Sequence, residues 1–420
     1  MLNLKFNFFK QIKSKLFPFY KNNNIKFVFR KLHEGFSNKE KSAMFVGGCV
    51  RKYLRNEKID DIDIATLLTT EQIKEKFKNT NFKVIESGVK HGTITIIQDD
   101  LKLEITTLRK DVKTDGRHAE IEYTRNWQED SDRRDFTINA IYLDIKGNLY
   151  DPQQGISDLR NNIVKFIGDP QKRIQEDYLR IIRFIRFSLE YESKIEKTSL
   201  DAINLNLDGI KKISNERILD ELMKMIYSKK IINIHKEEGL KKIFLLIFPE
   251  FKNLERLKKL EEISPNLDLD KEIILGAMLI DEKDNHEYFL HKYNVSNELR
   301  KNLSLLAKNF QALNSNKRFF SKDLKKNLYL FGKKNLVALH VLNFSGKKKT
   351  NLQEYISMLK KIKETTIPKF LFDGNFLKEH GMQEGILIGQ TLKLIESEWI
   401  NGDFKISDEK VLEIISSHKG

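Results

Sequence analysis

The spacing of the apolar residues changes part-way along this 420-residue chain, and that change limits what the chain can fold into. Up to about residue 168, short apolar runs alternate with polar turns and brief helical patterns. From Gln171 onward, apolar side chains recur at three- and four-residue steps. Leu179, Ile182, Ile185 and Leu189 form one such series. Ile218, Leu219, Leu222, Met223 and Ile226 form another, after Ser214 as an N-cap. The sequence therefore predicts an α+β protein, with a mixed head followed by an all-helical remainder. In the head, residues 44–47 and 61–66 read as strands, and Gly47-Gly48 turns the chain into a helix over 50–54. A helix is expected over 70–78 with Thr70 as its cap, and two strands over 92–98 and 101–108 joined at Asp99-Asp100. Residues 110–130 are polar and read as a mobile loop, and 135–143 as a helix leading into a strand. The head thus holds a mixed sheet of about five strands.

Hydrophobic residues make up 40% of the chain, enough for a sizeable core, and only six prolines interrupt it. The formal charge of +15 favours a polyanionic partner, although a general Lys and Asn bias produces the same balance. One cysteine, Cys49, excludes an internal disulfide framework and fits a reducing, cytoplasmic compartment. No apolar run approaches the roughly 18 residues of a membrane span. Residues 1–28 read as a basic extension, with an organellar address as the lesser alternative: the first acid is Glu34, no Arg precedes Arg30, and neither a signal-peptide core nor a cleavage site is present. The nine histidines are scattered without metal-ligand spacing, and no His-Asp dipeptide marks a phosphohydrolase of that type.

Three strings carry chemistry. In Gly47-Gly48-Cys49-Val50-Arg51, two glycines at a strand-to-helix turn let backbone N–H groups approach a phosphate, with Arg51 in reach of it. Asp61 and Asp63 are two apart on a strand, so both carboxylates face one side while Asp60 faces away. Such a pair suits two Mg²⁺ ions, which take oxygen ligands and bridge to substrate phosphates. Glu104 is the candidate third carboxylate, and an exposed strand residue reads the same way. A plain turn and a solvated strand end are the bland readings of the glycines and aspartates, and their combination at this spacing argues against both.

The second string runs from Arg133 to Ala140. Arg134 can contact phosphate, and Asp135 and Asn139 can order the ribose. The third runs from Glu176 to Phe187. Asp177 and Arg180 stand at i and i+3 on a helix, and Arg183 and Arg186 continue the step. A surface salt bridge is the common meaning of that spacing. The functional meaning is a protein-borne template: Asp177 accepts from the exocyclic amine of cytosine or adenine, and Arg180 donates to the base edge. Uracil and guanine would leave those groups unpaired. Cys49 reads as a packed residue, and Tyr178, Phe184 and Phe187 as core.

All three strings resemble the class II tRNA nucleotidyltransferase and bacterial poly(A) polymerase family of the polymerase-β-like superfamily. The resemblance covers roughly residues 44–230 and includes Gly155 to Leu159, Ile167 to Pro170 and Ser214 to Arg217. His91 to Thr95, and residues 111–120 with Asp115-Gly116-Arg117-His118, are similar to the CCA-adding branch, where the second segment is the flexible loop that helps the switch from C to A. Gly374, Gly381, Gly385, Gly389 and Trp399 resemble the family's tail pattern. One departure stands out: the family usually has Asp after the arginine of the glycine turn, and this chain has Lys52.

The resemblance implies a catalytic head over 29–168, a base-reading neck over 169–230, and a body and tail over 231–420 that grip tRNA. It implies nucleotide contacts at Gly48, Arg51, Arg134, Asp177, Arg180, Arg183 and Arg186, and Mg²⁺ held by Asp61 and Asp63. The expected activity is addition of C, C and A to the tRNA 3′ end from CTP and ATP, with no membrane and no obligatory protein partner. A poly(A) polymerase and an enzyme adding only the terminal A use the same chemistry and are the near alternatives. A catalytically dead RNA-binding protein is the rival from another class.

Overall fold

The computed structural model describes residues 18–114 and 119–418. The chain divides into two units, Met1–Pro249 and Glu250–Gly420.

In the first unit, helix α1 (Asn23–His33) is capped by Asn22, whose side chain accepts from the N–H groups of Asn24 and Ile25. Ile25, Val28, Phe29 and Leu32 recur on one face of α1 and are buried, each burial contributing about 1.5–3 kcal/mol. The main sheet then forms from β1 (Ala43–Val46), β2 (Ile62–Thr66), β3 (Lys83–Gly88), β4 (Thr93–Gln98), β5 (Leu101–Thr107), β8 (Tyr142–Leu143) and β9 (Leu149–Tyr150). Their order across the sheet is β3-β4-β5-β2-β1-β8-β9. β1 runs antiparallel to β2, and β2 runs parallel to β5, so the sheet is mixed, as the sequence indicates.

The seven strands correct the expected five. β3 has only Val84 and Ile85 as an apolar pair at a sheet edge, and β9 has two residues, so neither carries a readable alternation. Residues 110–130 are also not one loop. β6 (Arg109–Thr114) and β7 (Ala119–Tyr123) pair as a separate two-stranded ribbon, and α4 (Trp127–Asp132) follows. In the ribbon Lys110 faces Glu122 in register at 3.3 Å, a charged pairing that gives no apolar period to read. Asp115-Gly116-Arg117-His118 lies outside the described residues, as do residues 1–17 of the basic extension.

Two helices flank the central strands. α2 (Gly48–Leu54) starts two residues earlier than expected. α3 (Thr70–Phe77) is capped by Thr69 rather than Thr70, because Thr69 and Gln72 form a reciprocal capping box. The unit continues with α5 (Gly155–Arg160), α6 (Pro170–Glu176), α7 (Leu179–Glu190), α8 (Lys197–Asn206), α9 (Asn215–Tyr227) and α10 (Glu238–Ile247). Asp169 caps α6 through the Lys172 N–H, and Pro170 occupies its first position.

The regular elements of the second unit, among its described residues, are all helices: α11 (Arg256–Ile263), α12 (Lys271–Leu279), α13 (Asn285–Lys292), α14 (Asn297–Ser315), α15 (Leu324–Phe331), α16 (Lys333–Gly346), α17 (Leu352–Glu364), α18 (Gly374–Glu379), α19 (Ile386–Asn401) and α20 (Asp408–Ser417). α12 is buried along most of its length. Gly276 lets it meet α14, since a Cβ there would stand 2.8 Å from Leu306 Cδ2. A separate core gathers Leu377, Met382, Ile395, Val411, Ile414 and Ile415 from the last three helices and the turn after α18. Among the described residues no helix is long and apolar enough to cross a membrane.

Candidate active site

The four residues of β1 are all buried, and the strand ends on Gly47 at φ 74°, ψ −128°. A side chain is strained in that conformation. A Cβ at Gly47 would also stand 3.3 Å from Asp63 Oδ2, so a side chain there would crowd that carboxylate. The turn delivers the N-terminus of α2 and, one turn on, Arg51. Arg51 is buried; its Nε donates to Tyr191 Oη at 2.9 Å, its Nη1 donates to Asn139 Oδ1, and its guanidinium lies 4.9 Å from the centre of the Phe187 ring.

Asp63 lies in the middle of the sheet, opposite Val46 on one side and Glu104 on the other. Burial raises its carboxyl above the ordinary carboxylate value and Glu104 raises it further, while Arg134 and Arg51 pull the other way. A buried acid beside a second acid is a position that a cation relieves. Asp61 lies just ahead of β2. Asp60 also precedes the strand, so strand alternation does not turn it away as expected: it lines the same cavity as Asp61 and Asp63 and pairs with Lys52. Glu104 is level with Asp63, but its carboxylate pairs with Lys102 at 2.7 Å. Among the described residues no three His, Cys, Asp or Glu side chains form a ready-made metal cluster. Two carboxylates plus substrate phosphates is nonetheless the usual holding of Mg²⁺, so the donor set fits that ion.

Arg134 is fixed by a residue that the sequence gave no reason to single out. Asp130, with no exposed surface, accepts from Arg134 Nη2 at 2.9 Å, from Arg133 Nη2 at 2.7 Å and from Tyr142 Oη at 2.7 Å. Burial opposes ionisation of Asp130, but Arg134 and then Arg133 hold its carboxyl well below the usual range. Asp135 accepts from Asn139 Nδ2 at 2.6 Å and from Arg183 Nε at 2.7 Å.

Asp177 and Arg180 do not share a helix. α6 ends at Glu176, Asp177 is extended at φ −153°, and α7 starts at Leu179. Asp177 accepts from the Leu179 N–H at 3.1 Å and from Arg217 Nη2 at 2.8 Å. Arg180 donates to Glu176 Oε2 at 2.6 Å and to the Arg173 carbonyl at 2.8 Å. Arg186 donates to the buried Glu221 at 2.6 Å and stacks on Phe187 at 4.0 Å. Phe187 is core, as expected, and its ring also carries the guanidinium groups of Arg51, Arg183 and Arg186.

A cavity of about 930 Å³ is lined by Gly48, Arg51, Asp61, Asp63, Arg134, Asp177, Arg180, Arg183 and Arg186. Of the candidate catalytic, cation-binding and nucleotide-binding residues, only Glu104 is not among those lining it. Arg109, Arg133, Lys224 and Tyr227 line it as well. Arg109 falls between the strand read over 101–108 and the loop read over 110–130, and burial with Arg133 nearby pulls its guanidinium down to about 10. Cys49 is packed away, its thiol pushed up to about 12 by burial and then by Asp63.

Residues 43–165 match the poly A polymerase head domain, and residues 194–254 match the probable RNA and SrmB-binding site of polymerase A. The CCA-adding enzyme of Bacillus stearothermophilus in complex with CTP shares the fold at a TM-score of 0.67 and 23% identity, over 93% of this chain and 95% of that one. The Thermotoga maritima CCA-adding enzyme complexed with tRNA gives 0.66 and 22%, over 96% and 98%. A CCA-adding enzyme of Lactobacillus helveticus is 29% identical over 88% of this chain and 91% of its own. The mitochondrial CCA tRNA nucleotidyltransferase 1 of Danio rerio is 33% identical over 92% of this chain and 89% of its own length. On that likeness, which extends far beyond residues 43–165, the chain belongs to the CCA tRNA nucleotidyltransferase family.

Proposed function

We propose that this enzyme adds C, C and A to the 3′ end of tRNA from CTP and ATP without a nucleic-acid template, engaging tRNA through its 3′ end and acceptor arm. The observation that carries the reading is the one cavity in which the glycine turn, Asp61 and Asp63 share walls with the arginines of α7. In this reading residues 29–168 are the catalytic head, 169–230 read the base, and 231–420 grip tRNA.

Asp61 and Asp63 would hold divalent cations, Mg²⁺ by the chemistry of their oxygen donors, with Glu104 as the neighbouring acid. Bound there, such ions lower the pKa of the attacking 3′-hydroxyl and steady the departing pyrophosphate. The chain's own contribution is placement and fixed charge. The backbone N–H groups at Gly48 cradle phosphate oxygens, and Arg51 and Arg134, each held by buried partners, neutralise the triphosphate without having to reorganise. Asp177 keeps lone pairs beyond those used by Leu179 and Arg217, and Arg180 keeps N–H groups beyond those used by Glu176 and the Arg173 and Arg133 carbonyls, so a base edge can join both. Cytosine and adenine satisfy that pair; uracil and guanine do not.

The cytoplasm is the proposed compartment, since one buried thiol asks for no oxidising environment. Accumulation of a fluorescent fusion in mitochondria would contradict it.

The test uses tRNA lacking its CCA end, with CTP and ATP singly and together. Two C and one A should be added, then addition should stop. Unlimited A on unrelated RNA would establish a poly(A) polymerase instead, and A addition alone would establish the terminal-A enzyme. Asp61→Ala should abolish incorporation while leaving tRNA binding nearly intact, and wild-type turnover in that variant would remove the cation assignment.

A further inference from the structure

Asp61 and Asp63 differ in what holds them. Asp63 is paired in the sheet with Val46 on one side and Glu104 on the other. Asp61 precedes the strand, and the pairing of β2 with β5 starts one residue later, at Ile62. Its backbone is tied instead to a side chain: the Asp61 N–H donates to Asp60 Oδ1 at 3.0 Å. The same oxygen accepts from Lys52 Nζ. Lys52 is on α2, the helix that starts at the glycine turn, and its carbonyl accepts from the Glu57 N–H at 2.8 Å. One carboxylate oxygen thus joins the helix of the phosphate cradle to the backbone of Asp61.

We infer that Lys52 and Asp60 are positioning residues, a clasp that sets where Asp61 presents its carboxylate to a divalent cation. The inference rests on the reading of Asp61 as a cation ligand. Asp61 follows directly on Asp60, so a swing of the Asp60 side chain moves the peptide that carries Asp61. Lys52 prevents that swing from α2, a helix anchored by the buried residues Cys49, Val50 and Arg51.

Two other roles for Lys52 are open to the same geometry, and each has its own signature. A plain surface ion pair fits the exposure, 27% for Lys52 and 58% for Asp60; its loss would leave cation binding unchanged. A purely electrostatic role would make Lys52 a repellent for cations, so its removal would tighten cation binding. The clasp predicts the opposite sign.

The experiment titrates Mn²⁺ alone into the full-length protein and reads free Mn²⁺ by electron paramagnetic resonance. CTP incorporation into tRNA lacking CCA is measured in parallel. Lys52→Met should weaken Mn²⁺ binding about two- to fivefold, the range an exposed contact can supply. It should lower kcat with the KM for CTP unchanged, and Lys52→Arg should restore both. The unfolding midpoint should stay at the wild-type value, which separates the effect from lost stability. Unchanged or tighter Mn²⁺ binding in Lys52→Met overturns the clasp, and so does a change confined to KM. Asp61→Asn is the control: if it binds Mn²⁺ like the wild type, the ligand reading fails rather than the clasp.

Discussion

Replacing Asp130 by Asn keeps the shape of a fully buried side chain and removes the charge on which Arg133 and Arg134 converge. The new amide also turns N–H donors toward groups that are themselves donors. Breaking a buried ion pair by removing one partner costs about 3–5 kcal/mol. The two arginine side chains keep 14% and 16% of their exposure and so a route to water, which places the cost near the lower end, about 3 kcal/mol. For a unit of roughly 250 residues, 1 kcal/mol shifts the midpoint by about 2–4 °C, so the loss should be about 6–12 °C. Trp127 meets Tyr142 edge-on at 5.5 Å, and Tyr142 donates to Asp130. Its fluorescence in a Trp399→Phe background therefore reports the unit concerned. The pH dependence has a definite sign. The Asp130 carboxyl lies below its unfolded value of 3.8 when folded, so its contribution is complete above 3.8 and is lost as the pH falls below that toward the depressed value. Between pH 4 and pH 2.5 the wild type should therefore lose more stability than Asp130→Asn. A variant that melts within 2 °C of the wild type at pH 7, with the same slope in acid, would refute the argument that Asp130 anchors both arginines.

Gly47→Ala should cost about 1–3 kcal/mol in denaturant unfolding, because φ 74° is strained for alanine, and the added methyl crowds Asp63; CTP incorporation should fall at least about tenfold. Wild-type incorporation would show that the turn tolerates a side chain. Arg217→Met frees one oxygen of Asp177, and misincorporation of UTP and GTP relative to CTP should rise about tenfold in single-nucleotide assays, with unchanged fidelity counting against Asp177 as a base reader. With its thiol pushed up to about 12, Cys49 should resist Ellman's reagent in the native protein at pH 8 and react only after unfolding; prompt native labelling would contradict its burial.

The parts of the head that carry chemistry were legible because their residue types and spacing are tied to local backbone geometry. Gly47-Gly48 after an apolar run marks a turn, and Asp61 and Asp63 line one cavity although Asp61 precedes β2 and is not placed by strand alternation. The cavity collects them as expected. What stayed hidden depends on partners distant in sequence. Arg133 and Arg134 stand at i+3 and i+4 from Asp130, but the Tyr142 hydroxyl that completes its burial comes from beyond the helix. Arg217, which holds Asp177 from 40 positions away, closes the run from Ser214 with no visible reason to face that residue. Asp177 was misplaced for a local reason: the run from Glu176 to Phe187 has unbroken helical period, yet Asp177 takes an extended conformation and accepts from the Leu179 N–H. The β6–β7 ribbon escaped because its pairing is polar, and period-2 reading needs one buried face.

The arginine network also bears on how a polyphosphate enters. Arg134, Arg180, Arg183 and Arg186 are each already matched to a carboxylate. The cavity is therefore close to charge-balanced before any nucleotide arrives, and binding there is an exchange of anionic partners rather than capture by an unscreened field. Such an exchange responds weakly to ionic strength. Arg51 differs, since Asn139 and Tyr191 are uncharged, so its full positive charge stays directed at the glycine turn. Under the proposed function that guanidinium, with Arg109 also lining the cavity, would meet the triphosphate tail.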